Sequence, residues 1–127
     1  MSTLVICLLI AIILPYVAKV PVAIAMQKAG GYNNHYPREQ QGKLSGFGAR
    51  AAAAHKNSFE ALAVFSTAVL AAIATQHVTP TIEYLAMAYI ATRIMYHIFY
   101  LLNWASLRSL IWMTGYACCI AILCLSV

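Results

Sequence analysis

Two sets of polar side chains interrupt stretches of this sequence that are otherwise apolar. The first set is Arg50, Asn57 and Glu60, and the second set is Arg93, Tyr96 and Tyr100. Members of each set follow one another at intervals of three, four or seven residues, which places each set on one face of an α-helix. Guanidinium, amide, carboxylate and phenol groups together suit an anionic, zwitterionic ligand that forms hydrogen bonds. A tripeptide with two carboxylates and one ammonium fits that description.

Arg108 adds a cation near the start of a further apolar run. A positive charge in the first turn of a helix is opposed by the helix dipole, and an anionic ligand would resolve that conflict. If the ligand's reactive group is a thiol, a nearby guanidinium lowers the thiol pKa and raises the thiolate fraction. Such a site needs neither a metal nor an acid–base pair. The alternative is that Arg108 is a topology anchor that reaches the lipid head groups.

Long apolar segments carry these polar residues. Of the 127 residues, 63% are hydrophobic and 9% are charged, whereas globular domains average about 45–50% and about 25%. Four runs have roughly the length of a bilayer span, and they cover Thr3–Met26, Ala51–Thr75, Thr81–Leu102 and Leu107–Leu125. We therefore predict an all-α, multi-pass integral membrane protein, a four-transmembrane-helix bundle formed by a single domain over residues 1–127. This leaves no room for a separate soluble catalytic domain.

The distribution of basic residues predicts the topology. Lys28, Arg38 and Lys43 lie in the long polar connection Gln27–Ala49, which the positive-inside rule assigns to the cytoplasm. Both termini then lie outside the cytoplasm, and their shortness fits a bacterial inner membrane. Although the net charge is +5, the basic residues are scattered, so nucleic acid is not expected as a partner. A tight turn is expected before Pro80, with Thr79 as the N-cap of the next helix.

Two opposite charges are predicted at the same depth in the membrane. At about 1.5 Å per residue, Glu60 and Arg93 lie roughly 15 and 14 Å from the cytoplasmic ends of their helices. Ionisable groups within a span usually face a bundle interior, a partner or a water-filled site. Two interpretations stay open: a ligand-binding pair, or a structural ion pair that joins the second and third long helices.

Cysteine and histidine give no sign of a metal site. The four cysteines lie within apolar runs without metal-ligand spacing, and we interpret them as small hydrophobic residues. His35, His77 and His97 share no spacing. No metal is expected.

At these polar residues the sequence resembles the MAPEG family, the membrane-associated proteins in eicosanoid and glutathione metabolism. Residues 50–60 resemble its second-helix motif, in which an Asn and a Glu three residues later follow an arginine. Residues 93–100 resemble its third-helix motif of Arg, Tyr and Tyr. Leu107, Arg108 and Ser109, followed by Gly115 and Tyr116, resemble the start of its fourth helix.

The resemblance implies a homotrimer of four-helix protomers that binds glutathione, its co-substrate, between neighbours near the cytoplasmic face. The glutathione-binding residues it implies are Arg50, His55, Asn57, Glu60, Arg93, Tyr96 and Tyr100. It makes Arg108 the catalytic residue that stabilises the thiolate. The implied activity is that of a detoxifying transferase or peroxidase, with a lipophilic electrophile or lipid hydroperoxide as second substrate. The alternative is a non-catalytic lipid-binding or scaffolding member of the family.

Three positions depart from the pattern of the family's active members. Ala53 stands where an arginine is common, Ala61 where an aromatic residue is frequent, and Lys28 where the eicosanoid enzymes cluster arginines. These departures disfavour a specialised eicosanoid synthase. A small drug exporter is also disfavoured, because such a protein ordinarily depends on an acidic residue in its first helix and Thr3–Met26 contains none.

Overall fold

A computed structural model describes residues 2–127, and within them the protein is helical without β-strands. Five helices follow one another along the chain: α1 (Ser2–Lys28), α2 (Pro37–Gly42), α3 (Gly46–Ala74), α4 (Pro80–Leu101) and α5 (Ala105–Leu125). The four long helices coincide with the four apolar runs of the sequence. The described chain thus has one short helix more than the four long helices predicted.

The connection between α1 and α3 is more ordered than predicted. It contains α2, which begins at Pro37, a residue whose fixed φ suits the first helical position. In addition, α3 begins at Gly46 rather than at Ala51, preceded by Ser45 in an extended conformation. The earlier start places Arg50 within α3.

Three of the helices, α1, α3 and α5, are long and apolar enough to cross a membrane. Helix α4 has 22 residues but includes Glu83, Arg93 and four tyrosines, and these make it less apolar than the others. Many large apolar side chains of α1 point away from the protein, including Ile6, Leu9 and Val17. A lipid environment accounts for that exposure, and the protein is an integral membrane protein.

The main core joins all four long helices. Leu4 and Cys7 of α1 pack with Phe65 of α3, Tyr89 of α4 and Cys119 of α5. The rings of Phe65 and Tyr89 stack with centroids 4.2 Å apart, and the Tyr89 hydroxyl donates a hydrogen bond to the Ala61 carbonyl at 3.1 Å. Since Cys7, Cys118 and Cys119 are buried free thiols, they pack as small apolar side chains. These contacts fix α4 against α3.

Two turns bound α4, and the second brings its polar residues beside the start of α5. Thr79 accepts a hydrogen bond from the backbone N–H of Ile82 at 3.3 Å, which confirms the predicted N-cap. At the other end of α4, Asn103 adopts a φ of 61°, the left-handed conformation that ends many helices. The Trp104 N–H donates to the Phe99 carbonyl at 2.9 Å. This tight turn lets α5 begin at once, so its first residues lie beside the last turn of α4.

Gly115 permits a close approach of α5 to α4. A Cβ atom at Gly115 would lie 2.7 Å from the Thr92 Oγ1 atom and 3.5 Å from the Thr92 Cβ atom. The Thr92 hydroxyl cannot easily turn away, because it donates to the Tyr89 carbonyl at 2.6 Å. Small residues at helix crossings of this kind allow membrane helices to pack closely.

Gly115→Ala is therefore expected to lower the free energy of unfolding by about 1–3 kcal/mol through overpacking. Thermal unfolding in detergent would measure it. In a Thr92→Ala background the clashing oxygen is gone, so the same substitution should cost much less. Gly42→Ala is the matched control, because no atom lies within 4 Å of its added Cβ. Equal costs of Gly115→Ala in the two backgrounds would contradict the contact.

Candidate functional site

A groove of about 180 Å³ lies between α3, α4 and α5. Its polar and aromatic lining residues are Asn57 and Glu60 from α3, Tyr89 and Arg93 from α4, and Trp112 and Tyr116 from α5. Three of the residues predicted from sequence to bind a ligand, Asn57, Glu60 and Arg93, therefore share one groove. The remaining walls are apolar, which suits a site that receives part of its ligand from the lipid.

Arg93 lies at the inner wall of this groove and is 5% exposed. Its Nη2 atom donates a hydrogen bond to the Asn57 Oδ1 atom at 2.8 Å, and its guanidinium lies over the Tyr96 ring at 4.2 Å from the centroid. A buried guanidinium needs such partners, because an unsatisfied charge within a membrane protein is costly. This contact ties α4 to α3.

The alternative of an Arg93–Glu60 ion pair is wrong in this structure. Among residues 2–127 the only ion pair within 4.0 Å joins Lys43 and Glu39 on the surface. Glu60 and Arg93 were predicted at the same depth, but the guanidinium of Arg93 contacts Asn57 instead, which lies one turn before Glu60 on the same face of α3. Glu60 is exposed at the opening of the groove, where its carboxylate is free to meet a cation.

A stack of cations and aromatic rings continues from the groove to the start of α5. After Arg93 and Tyr96, the Tyr96 and Tyr100 rings meet edge to face with centroids 5.6 Å apart. The Arg108 guanidinium then lies 4.5 Å from the centroid of the Tyr100 ring. Cations held over aromatic faces are stabilised without an anionic partner. These contacts connect Arg93, Tyr96, Tyr100 and Arg108 into one polar row, in which Arg93 and Tyr96 are buried and only Arg93 lines the groove.

Arg108 has no acidic partner among the described residues. It is half-buried in the first turn of α5, where the helix dipole opposes a cation. The single ion pair of the described chain does not include it. The polar row and the adjoining groove together contain two guanidinium groups, those of Arg93 and Arg108, and one carboxylate, that of Glu60. The arrangement can hold an anionic ligand that also carries an ammonium, and it can stabilise a developing negative charge beside Arg108.

Arg50 contacts the C-terminal end of α4, just before the turn that leads to Arg108. Its Nη2 atom donates to the Leu101 carbonyl at 3.4 Å, at the C-terminus of α4, where a cation is favoured by the dipole. The Arg50 Nε atom is buried and has no hydrogen-bond partner. Arg50 is therefore near the Tyr100 end of the polar row but does not line the groove.

His55 lies apart from the other predicted site residues. Its Nδ1 atom is 2.8 Å from the Pro15 carbonyl of α1, and its ring packs edge to face against Phe59. Residues 55 and 57 are two positions apart on a helix, which directs their side chains to nearly opposite sides. The structure does not bring His55 to the groove.

The three aromatic residues that line the groove were not predicted as binding residues, although their spacing carried a signal. Trp112 and Tyr116 follow Arg108 at intervals of four residues, so one face of α5 carries all three. Their rings stack with centroids 5.4 Å apart and an interplanar angle of 7°. Tyr89 precedes Arg93 by four residues and likewise shares its face of α4.

Nothing in the described part of the chain forms a metal site. No group of three or more histidine, cysteine, aspartate or glutamate side chains there could hold a metal ion. The side chains that line the groove carry guanidinium, carboxamide, carboxylate, phenol, indole and thiol groups.

Comparison with protein families identifies the class to which this fold and groove belong. The sequence model of the MAPEG family matches residues 3–127. Comparison with curated proteins and with solved structures gave no match. Because the match extends over essentially the whole chain, the chain belongs to the MAPEG family, the membrane-associated proteins in eicosanoid and glutathione metabolism.

Proposed function

We propose that the protein is a membrane-bound, glutathione-dependent transferase or peroxidase. The observation that carries the proposal is the row of contacting side chains from Asn57 and Arg93 through Tyr96 and Tyr100 to Arg108. This row and the groove offer two guanidinium groups, a free carboxylate and phenols. In a member of this family, these groups are complementary in charge to glutathione, which has two carboxylates, one ammonium and a thiol. Its second substrate is a lipophilic electrophile or a lipid hydroperoxide that enters from the bilayer.

Charge complementarity indicates which group of glutathione each side chain would contact. The carboxylates of glutathione face the guanidinium of Arg93 and, towards the end of α4, that of Arg50. The ammonium pairs with Glu60, which has no other partner, and Asn57 and the tyrosine hydroxyls offer hydrogen bonds. Arg108 lies beside the thiol and favours the thiolate over the neutral form.

The thiolate is the nucleophile of the chemical step. With an electrophile that bears a leaving group, the sulfur–carbon bond forms as the leaving group departs with the bonding electrons. With a lipid hydroperoxide, the sulfur attacks the terminal oxygen, the oxygen–oxygen bond breaks, and the lipid leaves as an alcohol after protonation. A second glutathione then releases the sulfur as a disulfide, with water as the other product. Arg108 acts on the charge of the sulfur in each case.

We propose that the working form is a homotrimer in which a neighbouring protomer completes each site. The groove of about 180 Å³ is smaller than the roughly 300 Å³ of the smallest usual ligand pockets, and Glu60, Trp112 and Tyr116 are exposed at its edge. Since His55 faces away from the groove of its own protomer, it can join a site only from the neighbouring one.

We also propose four membrane spans. Helix α4 has 22 residues and is therefore about 33 Å long, enough for the hydrocarbon core, with its polar side chains directed to the bundle. The basic connection between α1 and α3 then lies in the cytoplasm of a bacterial inner membrane, and both termini lie on the other side.

A second candidate is a non-catalytic lipid-binding or scaffolding protein. It is favoured by Ala53, which supplies no charge where active relatives carry an arginine, and by the aromatic wall of Trp112 and Tyr116 beside the lipid. Such a protein would use the groove to hold a lipid rather than glutathione.

Turnover of the purified protein distinguishes the two candidates. We expect saturable conjugation of glutathione with chlorodinitrobenzene, or saturable reduction of cumene hydroperoxide, in detergent micelles. The control is Lys43→Ala, whose side chain is 77% exposed and pairs only with Glu39; it should behave as the wild type. Absence of both activities, together with lipid binding in the groove, would support the second candidate.

A further inference from the structure

A second cavity of about 180 Å³ lies between α1 and α4 and shares no lining residue with the groove. Its walls include Val17 and Pro21 from α1 and Ile94 and Ile98 from α4, with Ala54 of α3 at its floor. Val17, Ile94 and Ile98 are exposed on the outside of the protein. The cavity therefore opens towards the lipid phase rather than towards the proposed glutathione site.

His97 is the only polar residue that lines this cavity. Its Nε2 atom is one of two buried side-chain nitrogen or oxygen atoms in residues 2–127 without a hydrogen-bond partner. A buried polar atom left unpaired is unfavourable. Water is a poor remedy, because a buried water typically needs about three hydrogen bonds and the lining offers one polar side chain. A ligand with one polar end and an apolar body would satisfy both the nitrogen and the walls.

The charged residues near His97 are cations, which favours an anionic head group, although neither guanidinium lines the cavity. Arg93 precedes it by one helical turn, and Arg50 contacts the carbonyl of Leu101, one turn after it. The chain has three acidic residues, and none lines the cavity. Glu39 is on α2, Glu60 opens into the other groove, and Glu83 is at the opposite end of α4.

We propose that this cavity binds a long-chain fatty acid. The carboxylate accepts a hydrogen bond from the Nε2 atom of His97, and the hydrocarbon chain lies between α1 and α4 along Val17, Ile94 and Ile98. The site is separate from the groove that we propose for glutathione, so a fatty acid can occupy it whether or not the groove is catalytic.

Photoaffinity labelling of the whole protein tests the site. The protein is placed in phosphatidylcholine nanodiscs with a diazirine analogue of palmitic acid, and labelled residues are mapped by mass spectrometry. We expect labels on α1 and α4 near Val17 and Ile98, competed by palmitic acid and much less by hexadecanol. Competition by hexadecanol as strong as that by palmitic acid, equal labelling by a diazirine phosphatidylcholine, or labels spread evenly over all lipid-facing helices would overturn the proposal.

Variants separate head-group recognition from the cavity itself. His97→Phe keeps an aromatic ring but removes both nitrogens, so the apparent affinity for the probe should fall by about tenfold or more, the effect of one hydrogen bond to a carboxylate. Ile98→Trp fills the cavity and should abolish specific labelling with His97 intact. His77→Phe, the same change in the exposed turn before α4, should have no effect. Wild-type labelling in a folded His97→Phe or Ile98→Trp protein would refute the assignment.

Discussion

Arg108→Ala is expected to lower the turnover number with glutathione by about 100-fold while changing glutathione affinity by less than about threefold. The guanidinium of Arg108 acts on the charge of the sulfur, and that charge is present only in the thiolate and in the transition state. The binding of the rest of the tripeptide depends on Arg93, Asn57 and Glu60. Steady-state turnover and calorimetric titration with glutathione measure the two quantities.

Two further variants sharpen this prediction. Arg108→Lys keeps a positive charge but lacks the planar group that lies over the Tyr100 ring, so it should recover only part of the turnover. Tyr100→Phe keeps the ring beneath Arg108 and should lower turnover far less than Arg108→Ala. If turnover and affinity of Arg108→Ala fall in parallel, Arg108 serves binding, and if neither falls, it is a topology anchor.

The second large effect is expected at the contact between α4 and α3. Arg93→Met should remove glutathione binding and also lower the free energy of unfolding by about 1–3 kcal/mol, because it leaves the partly buried Asn57 carbonyl oxygen without its donor. Adding Asn57→Leu removes that oxygen, so the double variant should regain most of the stability but none of the binding. Thermal unfolding and calorimetry report the two properties separately.

Glu60→Gln is the matched comparison for Arg93→Met. Because Glu60 is exposed and has no ion pair with Arg93, its replacement should change the free energy of unfolding by less than about 0.5 kcal/mol. Glutathione affinity should still fall, since the ammonium of the ligand loses its carboxylate. A Glu60→Gln protein as unstable as Arg93→Met would mean that an ion pair forms in the membrane after all.

The long helices could be predicted from the sequence because hydrophobic length and helix-start signals are local. Thr79 and Pro80 marked the start of α4, and the intervals among Arg93, Tyr96 and Tyr100 predicted their common face. Helix α2 could not be predicted in the same way, because six residues in a polar segment show no helical period. The early start of α3 was hidden by the glycines that precede Arg50.

The hydrogen-bond partner of Arg93 could not be predicted from the sequence. A rise of about 1.5 Å per residue gives the depth of Glu60 and Arg93 but not the relative rotation of their helices, and that rotation brings Asn57 to the guanidinium. The direction of His55 was available from the sequence, since residues two apart on a helix diverge. The unpaired nitrogen of His97 could not be predicted from the sequence, because it results from the packing of α1 against α4.

The most direct test of the proposed function is an ultraviolet difference spectrum of the detergent-solubilised protein titrated with glutathione near neutral pH. We predict a saturable thiolate absorbance for the wild type and for Lys43→Ala, and its loss in Arg108→Ala although glutathione still binds. A wild-type protein that shows no thiolate signal, and no heat of glutathione binding, would contradict the proposal.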